Sequence, residues 1–495
     1  MIERAVIGPG LCGALHVSGC TSDAGKSTVV AGLCRLLARN GVSVAPFKSQ
    51  NMALNSFVTR TGDEIGRAQG AQALAAGLEP EVAMNPILLK PTGERSSQVV
   101  VMGQPIGVMS AVEYHEHKPQ LRSLALDALA GLRERFDVVL CEGAGSPAEI
   151  NLLDHDIVNL SIARDGGMRS IVVGDIDRGG VFAHLFGTVA LLPDDLRSTV
   201  GGFLINRFRG DPTLLGDAME QLEAACGVPT LGVLPMLDGM WLDGEDSVAL
   251  GVPVPSAGPP RADPLDIVAI RLPQLSNYTD LDALALEPGV SVRYVADAAS
   301  VGRPDLVVLP GSKATVADLS WLRKRGIDAA IEASGAEVLG ICAGYQMLGD
   351  SIRDDVESCS GEVAGLAWLP GVVTAFDVDK VLRRHHGERA GGYQIHHGRV
   401  TGPAGTGWVP LDDCERGEGT VRSDGRVRGT TLHGLFEHDS FRTGFLVDLA
   451  GRRGKRFVPA GVDFASARLA RFDAIADAVE THVDLDALVG LIAQG

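Results

Sequence analysis

The chain is short of positive charge and has no long apolar run, and both deficits narrow its function. Lysine and arginine total 44 against 62 acidic residues, a formal net charge of -18. Generic attraction to nucleic acid or to an anionic membrane is therefore not expected, since both depend on a basic face. The opening stretch MIERAVIGPGLCGALHVSG has neither the apolar core of a signal peptide nor the length of a membrane span, so a cytoplasmic location is expected. CxxC pairs are also missing. The eight cysteines, Cys12, Cys20, Cys34, Cys141, Cys226, Cys342, Cys359 and Cys414, are scattered, which argues against zinc ribbons and dithiol redox chemistry. Most are expected to be small core residues, and a disulfide framework does not suit so long a chain without secretion signals. No low-complexity tract or short repeat interrupts the sequence.

What is present describes an ordered α/β protein. At 495 residues, 45% hydrophobic and 21% charged, the chain exceeds one hydrophobic core and two or three domains are expected. In residues 1–250, short β-branched runs alternate with Ala/Leu-rich amphipathic segments, the pattern of βα units around a parallel sheet. Strands are expected at Ala14–Ser18, Val42–Phe47, Phe136–Glu142, Ser170–Asp175, Gly202–Asn206 and Thr230–Leu234. GVPVPSAGPPRADP, residues 251–264, is too rich in proline and glycine for helix or sheet and is read as a linker. A second α/β domain over residues 265–460 follows, with strands expected at Asp266–Arg271, Val290–Val295, Leu306–Leu309 and Glu337–Ile341. Residues 461–495 have apolar positions at helical spacing and are expected to form one or two helices packed on that second domain. The fold expected is two doubly wound parallel-sheet domains with a C-terminal helical tail.

LHVSGCTSDAGKSTVVAGLCRLLA passes from a strand through a Gly-rich turn into a helix starting near Lys26, the context a phosphate loop requires. Gly19 and Gly25 allow the tight turn, and the backbone of Thr21, Ser22, Asp23, Ala24 and Thr28 faces the phosphates. Lys26 neutralises them and Ser27 ligates Mg²⁺. ATP and Mg²⁺ are the ligands expected. FDVVLCEGAGSPAE places Glu142 at the end of a neighbouring apolar strand, the second candidate metal ligand; a solvated strand-end carboxylate is the plainer alternative. Asp175 and Asp177 in VVGDIDRGG sit similarly. The loop has five residues between its glycines rather than the common four. In that it resembles the dethiobiotin-synthetase-like group, whose members phosphorylate carboxyl or carbamate groups.

In the second domain, AEVLGICAGYQML reads as strand, sharp turn and helix with Cys342 framed by Gly340 and Gly344. This is the cysteine form of the nucleophile elbow, where small neighbours permit a strained turn at a helix N-terminus and a nearby histidine favours the thiolate. LPGSKATVADL, around Gly311 and Ser312, offers candidate backbone donors for the oxyanion hole, and Ala343 after the nucleophile is a further candidate there. His433 in GTTLHGLFEHD is the candidate base. The domain resembles class I glutamine amidotransferases, which hydrolyse glutamine through a cysteinyl thioester. Their His-Pro-Glu signature is absent, because Gly434 and Leu435 follow His433 and Glu437 stands at another offset. The residue that orients the base is left open. GGYQIHHGR places Tyr393, His396 and His397 as candidates to line the glutamine pocket.

The whole chain resembles the cobyric acid synthase family of the CobQ type. The resemblance rests on TSDAGKS, PFKSQNMALNS, EIGRAQ, MNPILLKP, DIDRGGVFA, INRFRGD, GYQIHHG and LHGLF, spread from about residue 14 to the end. It implies amidation of the b, d, e and g carboxylates of adenosylcobyrinic acid a,c-diamide, with one ATP and one glutamine for each. The resemblance of the first domain to the dethiobiotin-synthetase-like group implies that Asn206, after a late strand, contacts the adenine. Lys48, Gln50, Asn51, Arg67, Lys90, Arg178, Arg207 and Arg209 lie in these motifs and suit a polycarboxylate corrinoid and a phosphorylated intermediate. Cobyrinic acid a,c-diamide synthase shares both domain types, but KSQNMALNS discriminates against it. A partitioning-type P-loop ATPase acting as a binding module lacks a reason to carry the second domain. Oligomeric state is not legible.

Overall fold

A computed structural model describes residues 7–93, 95–237, 258 and 263–495. Of the expected linker, residues 251–257 and 259–262 lie outside the described residues. The chain divides into two compact units: Met1–Ala53, Glu64–Asp243 and Arg468–Gly495 form one, and Leu54–Asp63 with Gly244–Ala467 form the other. Two departures from the sequence reading follow from this. Residues 54–63 belong to the second unit, and the end of the tail belongs to the first rather than the second.

All ten expected strands form, with ends shifted by at most two residues. In the first unit, β1 (Gly13–Gly19), β2 (Val44–Phe47), β3 (Val138–Glu142), β4 (Arg169–Asp175), β5 (Val200–Phe208) and β6 (Thr230–Pro235) make a sheet ordered β6-β5-β4-β1-β3-β2, parallel throughout. Such a sheet is covered on both faces, which is why its strands read as unbroken apolar runs. Chain order reverses at β1, so a ligand is expected beyond the carboxyl ends of β1, β3 and β4.

Helix α1 (Lys26–Arg39) buries Val29, Val30, Leu33, Cys34, Leu36 and Leu37 against this sheet. The tail also packs on it. A Cβ on Gly32 would meet Ile475 at 2.5 Å, and Arg35 pairs with Asp473 at 2.6 Å. Phe472, Ile475, Val479, Leu488, Leu491 and Ile492 join the same core as Leu15, Val17 and Val173, each contributing about 1.5–3 kcal/mol of burial. Helical periodicity located the apolar face of the tail correctly but carries no information on which sheet that face covers.

In the second unit, β7 (Leu265–Ile270), β8 (Val290–Val295), β9 (Leu306–Leu309), β10 (Glu337–Ile341), β11 (Thr420–Val421) and β12 (Val427–Thr430) are ordered β8-β7-β9-β10-β12-β11. Only β11 runs antiparallel, at the edge. Four cysteines, Cys20, Cys34, Cys141 and Cys342, are buried, while Cys12 and Cys359 are exposed; half rather than most are core residues. Among the described residues no helix is long and apolar enough to cross a membrane.

Candidate functional site

The phosphate loop leaves β1 at Gly19. Asp23 (φ 56°) and Gly25 (φ 101°) take left-handed backbone to turn the chain into α1. A Cβ on Gly25 would lie 2.0 Å from the Asn206 amide, so that position needs glycine for space as well as for conformation. Asn206 Nδ2 donates to the Ala24 carbonyl at 3.0 Å. This residue, placed at the adenine by resemblance, braces the loop backbone through its amide nitrogen. Lys26 Nζ reaches back over the turn to the carbonyls of Thr21 and Gly145, each at 3.1 Å.

Register explains how Glu142 arrives beside the loop. It ends β3 opposite Val17 of β1, so its carboxylate emerges at the carboxyl edge next to α1. Oε1 accepts from Ser27 Oγ and from Lys48 Nζ, both at 2.8 Å, and Oε2 accepts from Gln72. Burial alone would push this carboxyl up; the Lys48 ammonium and the Gln72 and Ser27 donors bring it below the usual carboxylate range. The plainer reading, a solvated strand-end acid, does not hold, since Glu142 is 1% exposed.

The other expected substrate groups separate into two sets. Arg207 pairs with Asp175 at 2.7 Å, Arg209 with Asp177 at 2.8 Å, and Arg178 lies 3.4 Å from both Asp23 and Asp175. These guanidinium groups stay partly exposed at the margin of the loop. Asn51, Arg67 and Lys90 are buried; Lys90 pairs with Glu64 at 2.6 Å and Asn51 donates to Gln69 at 2.9 Å. Gln50 accepts from the Tyr114 hydroxyl at 2.6 Å. A buried charge or amide is retained only with partners; for Lys90, Asn51 and Gln50 these include Glu64, Gln69 and Tyr114.

The nucleophile elbow of the second unit is built by its two glycines. A Cβ on Gly340 would sit 2.6 Å from the Tyr345 nitrogen, and one on Gly344 would sit 1.8 Å from the Leu309 carbonyl oxygen. Cys342, between them, is held at φ 52° and ψ -109°, a region that costs a non-glycine residue about 1–3 kcal/mol. The Cys342 N–H donates to the Thr430 carbonyl at 2.8 Å. Because Ile341 and Thr430 pair across β10 and β12, the chain leaves both strands at the same edge. That brings His433, three residues past β12, beside the cysteine.

Asp280 completes the constellation. Its Oδ2 lies 2.7 Å from His433 Nδ1, and its Oδ1 accepts from the Gly434 N–H at 2.8 Å. His433, Asp280 and Cys342 are 1%, 4% and 6% exposed. Burial lowers the affinity of His433 for a proton, but the Asp280 carboxylate and the Cys342 sulfur outweigh it and carry the imidazole up to about 10. Sequence reasoning missed Asp280, although one signal was available: it lies in a short turn, Tyr278–Leu281, after β7, the first strand of the same sheet. Loops at the carboxyl edge of one parallel sheet gather however far apart they are in sequence.

Tyr393 stacks on His433 with ring centroids 5.5 Å apart, and the two exchange backbone hydrogen bonds of 2.9 and 2.8 Å. Its hydroxyl donates to the Ser56 carbonyl at 3.1 Å. A Cβ on Gly311 would lie 2.9 Å from His433 Cε1, so this glycine stands at the site. The Ser312 hydroxyl donates to Asp318 at 2.6 Å and accepts from the Ala314 N–H at 2.9 Å, which fixes the turn that carries the candidate backbone donors. His396 and His397 hydrogen-bond the Gly398 and Asp377 carbonyls through Nδ1. Burial pushes His396 down to about 4, so it is neutral.

Comparison with known proteins matches both units. Residues 15–245 match the CobQ/CobB/MinD/ParA nucleotide binding domain, and residues 266–441 match the CobB/CobQ-like glutamine amidotransferase domain. Over 491 residues the chain is 53% identical to a cobyric acid synthase of Mycolicibacterium paratuberculosis, covering 97% of each. The chain belongs to the cobyric acid synthase family. The cobyric acid synthase of Rhodococcus jostii is 53% identical over 497 residues, covering 98% of this chain and 96% of its own length. That of Streptomyces coelicolor is 51% identical over 499 residues, covering 98% and 97%. Family membership makes the chain a glutamine-hydrolysing ligase with a nucleotide site, and the alternatives of an earlier diamide synthase and of a partitioning ATPase are not favoured.

Proposed function

We propose that this chain amidates the b, d, e and g carboxylates of adenosylcobyrinic acid a,c-diamide in the cytoplasm, with ATP activating each carboxylate and glutamine supplying the nitrogen. The observation that carries this reading is identity with cobyric acid synthases over nearly the full length, joined to two separately built reaction centres.

In the glutamine site, the Cys342 sulfur attacks the carboxamide carbon after its proton has passed to His433. The imidazolium returns that proton to the leaving nitrogen as the C–N bond breaks, freeing ammonia and leaving a thioester. Backbone N–H groups of Gly311 and Ala343 are the proposed oxyanion donors. Water, losing a proton to His433, then hydrolyses the thioester and regenerates the thiolate. Asp280, 2.7 Å from the ring nitrogen, holds the imidazole in orientation throughout.

In the nucleotide site, a substrate carboxylate oxygen attacks the γ-phosphorus of ATP and the bond to the β-phosphate oxygen breaks. Ammonia then displaces phosphate from the acyl phosphate. Lys26 offsets charge on the phosphates, and Arg178, Arg207 and Arg209 present guanidinium groups to an anionic acceptor. Ser27 and Glu142 offer a hydroxyl and a carboxylate 2.8 Å apart, hard oxygen ligands that fit Mg²⁺. The metal would supply charge neutralisation on the phosphates.

Incubation with adenosylcobyrinic acid a,c-diamide, ATP, Mg²⁺ and glutamine is expected to give successive species by mass spectrometry, each with one hydroxyl replaced by an amino group, ending after the fourth. Amidation of unamidated cobyrinic acid in place of this diamide would overturn the reading. Lys26→Ala should slow synthesis from glutamine and from ammonium alike by about a hundredfold or more, the scale of losing a charge contact in a transition state, while leaving glutamine hydrolysis in place. Comparing the two nitrogen sources in one assay checks it.

A further inference from the structure

Lys48 and Glu142 form an ion pair at the place where a metal ligand is needed. Their side chains are 2% and 0% exposed, and Lys48 shares oxygen Oε1 with the Ser27 hydroxyl. The lysine is fixed by its own backbone: its N–H donates to the Met84 carbonyl at 2.8 Å, and its carbonyl accepts from Asn85 Nδ2 at 3.0 Å. A buried carboxylate without a cation is strongly unfavourable. Two cations on one carboxylate oxygen repel each other across a few ångströms in a medium of low polarity.

We infer that Lys48 is a built-in stand-in for the metal: its ammonium neutralises Glu142 while the site holds no divalent cation, and metal loading and the Lys48–Glu142 contact compete. Loading displaces the ammonium, which then becomes available to the phosphoryl group under transfer. The site is thus kept in its working shape before ATP arrives. The competing cation is a small divalent one, because the ligands are a hydroxyl and a carboxylate. This inference rests on the nucleotide-site reading above and adds to it a role for Lys48 before the reaction begins.

The test uses full-length protein without nucleotide and Mn²⁺ as the probe, with free Mn²⁺ read by electron paramagnetic resonance. Lys48→Gln keeps a hydrogen-bond donor for Glu142 but removes the charge. It is expected to bind Mn²⁺ at least about tenfold more tightly than the wild type, since an unpaired buried carboxylate is left to the metal. It should also melt at a lower temperature without metal and recover with Mn²⁺ more than the wild type does. Unchanged or weaker Mn²⁺ binding by a folded Lys48→Gln protein would overturn the inference and leave the nucleotide site standing. If Glu142→Gln binds Mn²⁺ as well as the wild type, the metal-site reading fails together with it. Should Lys48→Gln not fold, the wild-type ammonium resonance of Lys48 decides: it should shift or vanish at Mg²⁺ saturation, and its persistence would refute the competition.

Discussion

Cys342→Ala is expected to abolish glutamine-dependent amidation, by about 10⁵-fold or more as for loss of other enzymic nucleophiles, and to leave ammonium-dependent amidation near the wild-type rate. The reason lies in how the work is divided. The sulfur stands in its own strained elbow at φ 52°, and His433 and the Ile395 carbonyl, which lie against it, belong to the same unit. ATP, in contrast, is assigned to a loop between β1 and α1 of the other unit. Alanine fits the elbow at least as well as cysteine, so the fold should survive. Measuring corrinoid amidation with glutamine and, separately, with ammonium chloride checks the prediction. Loss of both activities in a folded variant would remove Cys342 from its assigned role.

Asp280→Asn should reduce glutamine hydrolysis by about 10³–10⁴-fold, the cost of an orienting carboxylate in a comparable triad, again with ammonium-dependent synthesis spared. The pH dependence gives a second, independent readout. Burial lowers the proton affinity of His433, and Asp280 and Cys342 raise it to a net value of about 10. The imidazolium that protonates the leaving nitrogen is therefore present throughout the neutral range and lost only as pH rises toward that value. Removing the Asp280 charge deletes one of the raising contributions, so the alkaline limb of residual activity should move to lower pH. A variant of wild-type rate, or one whose alkaline limb stays in place, would show that His433 is oriented by another group. Glu437→Gln, altering the acid nearest to the base in sequence, should have little effect by comparison.

The amino-acid sequence alone determined ten of the parallel strands and the chemistry carried within one loop. Parallel strands buried on both faces are continuous β-branched runs, so all ten were legible. The phosphate loop and the elbow were legible because a tight turn at a helix start demands glycines at fixed offsets, and the reacting group sits inside the turn itself. Cys342, Lys26 and Ser27 could be named for that reason. Glu142 could be placed because a strand end adjacent to the loop is a local feature.

Only the tertiary structure decided what depends on distant segments meeting. Asp280 and His433 are held 2.7 Å apart by strands that are not neighbours in the chain, and no spacing rule links them. Which sheet the tail covers was settled by the fit of Gly32 to Ile475 and of Arg35 to Asp473, not by helical period. Asn51, Arg67 and Lys90 were legible as polar motif residues but not as buried ones, because a motif records that a side chain matters and not whether its partner is a ligand or Gln69 and Glu64. Local backbone geometry is written in adjacent residues; partners across a sheet edge are fixed only when the sheet has formed its strand order, and that is where the base, its carboxylate and the Lys48–Glu142 pair came together.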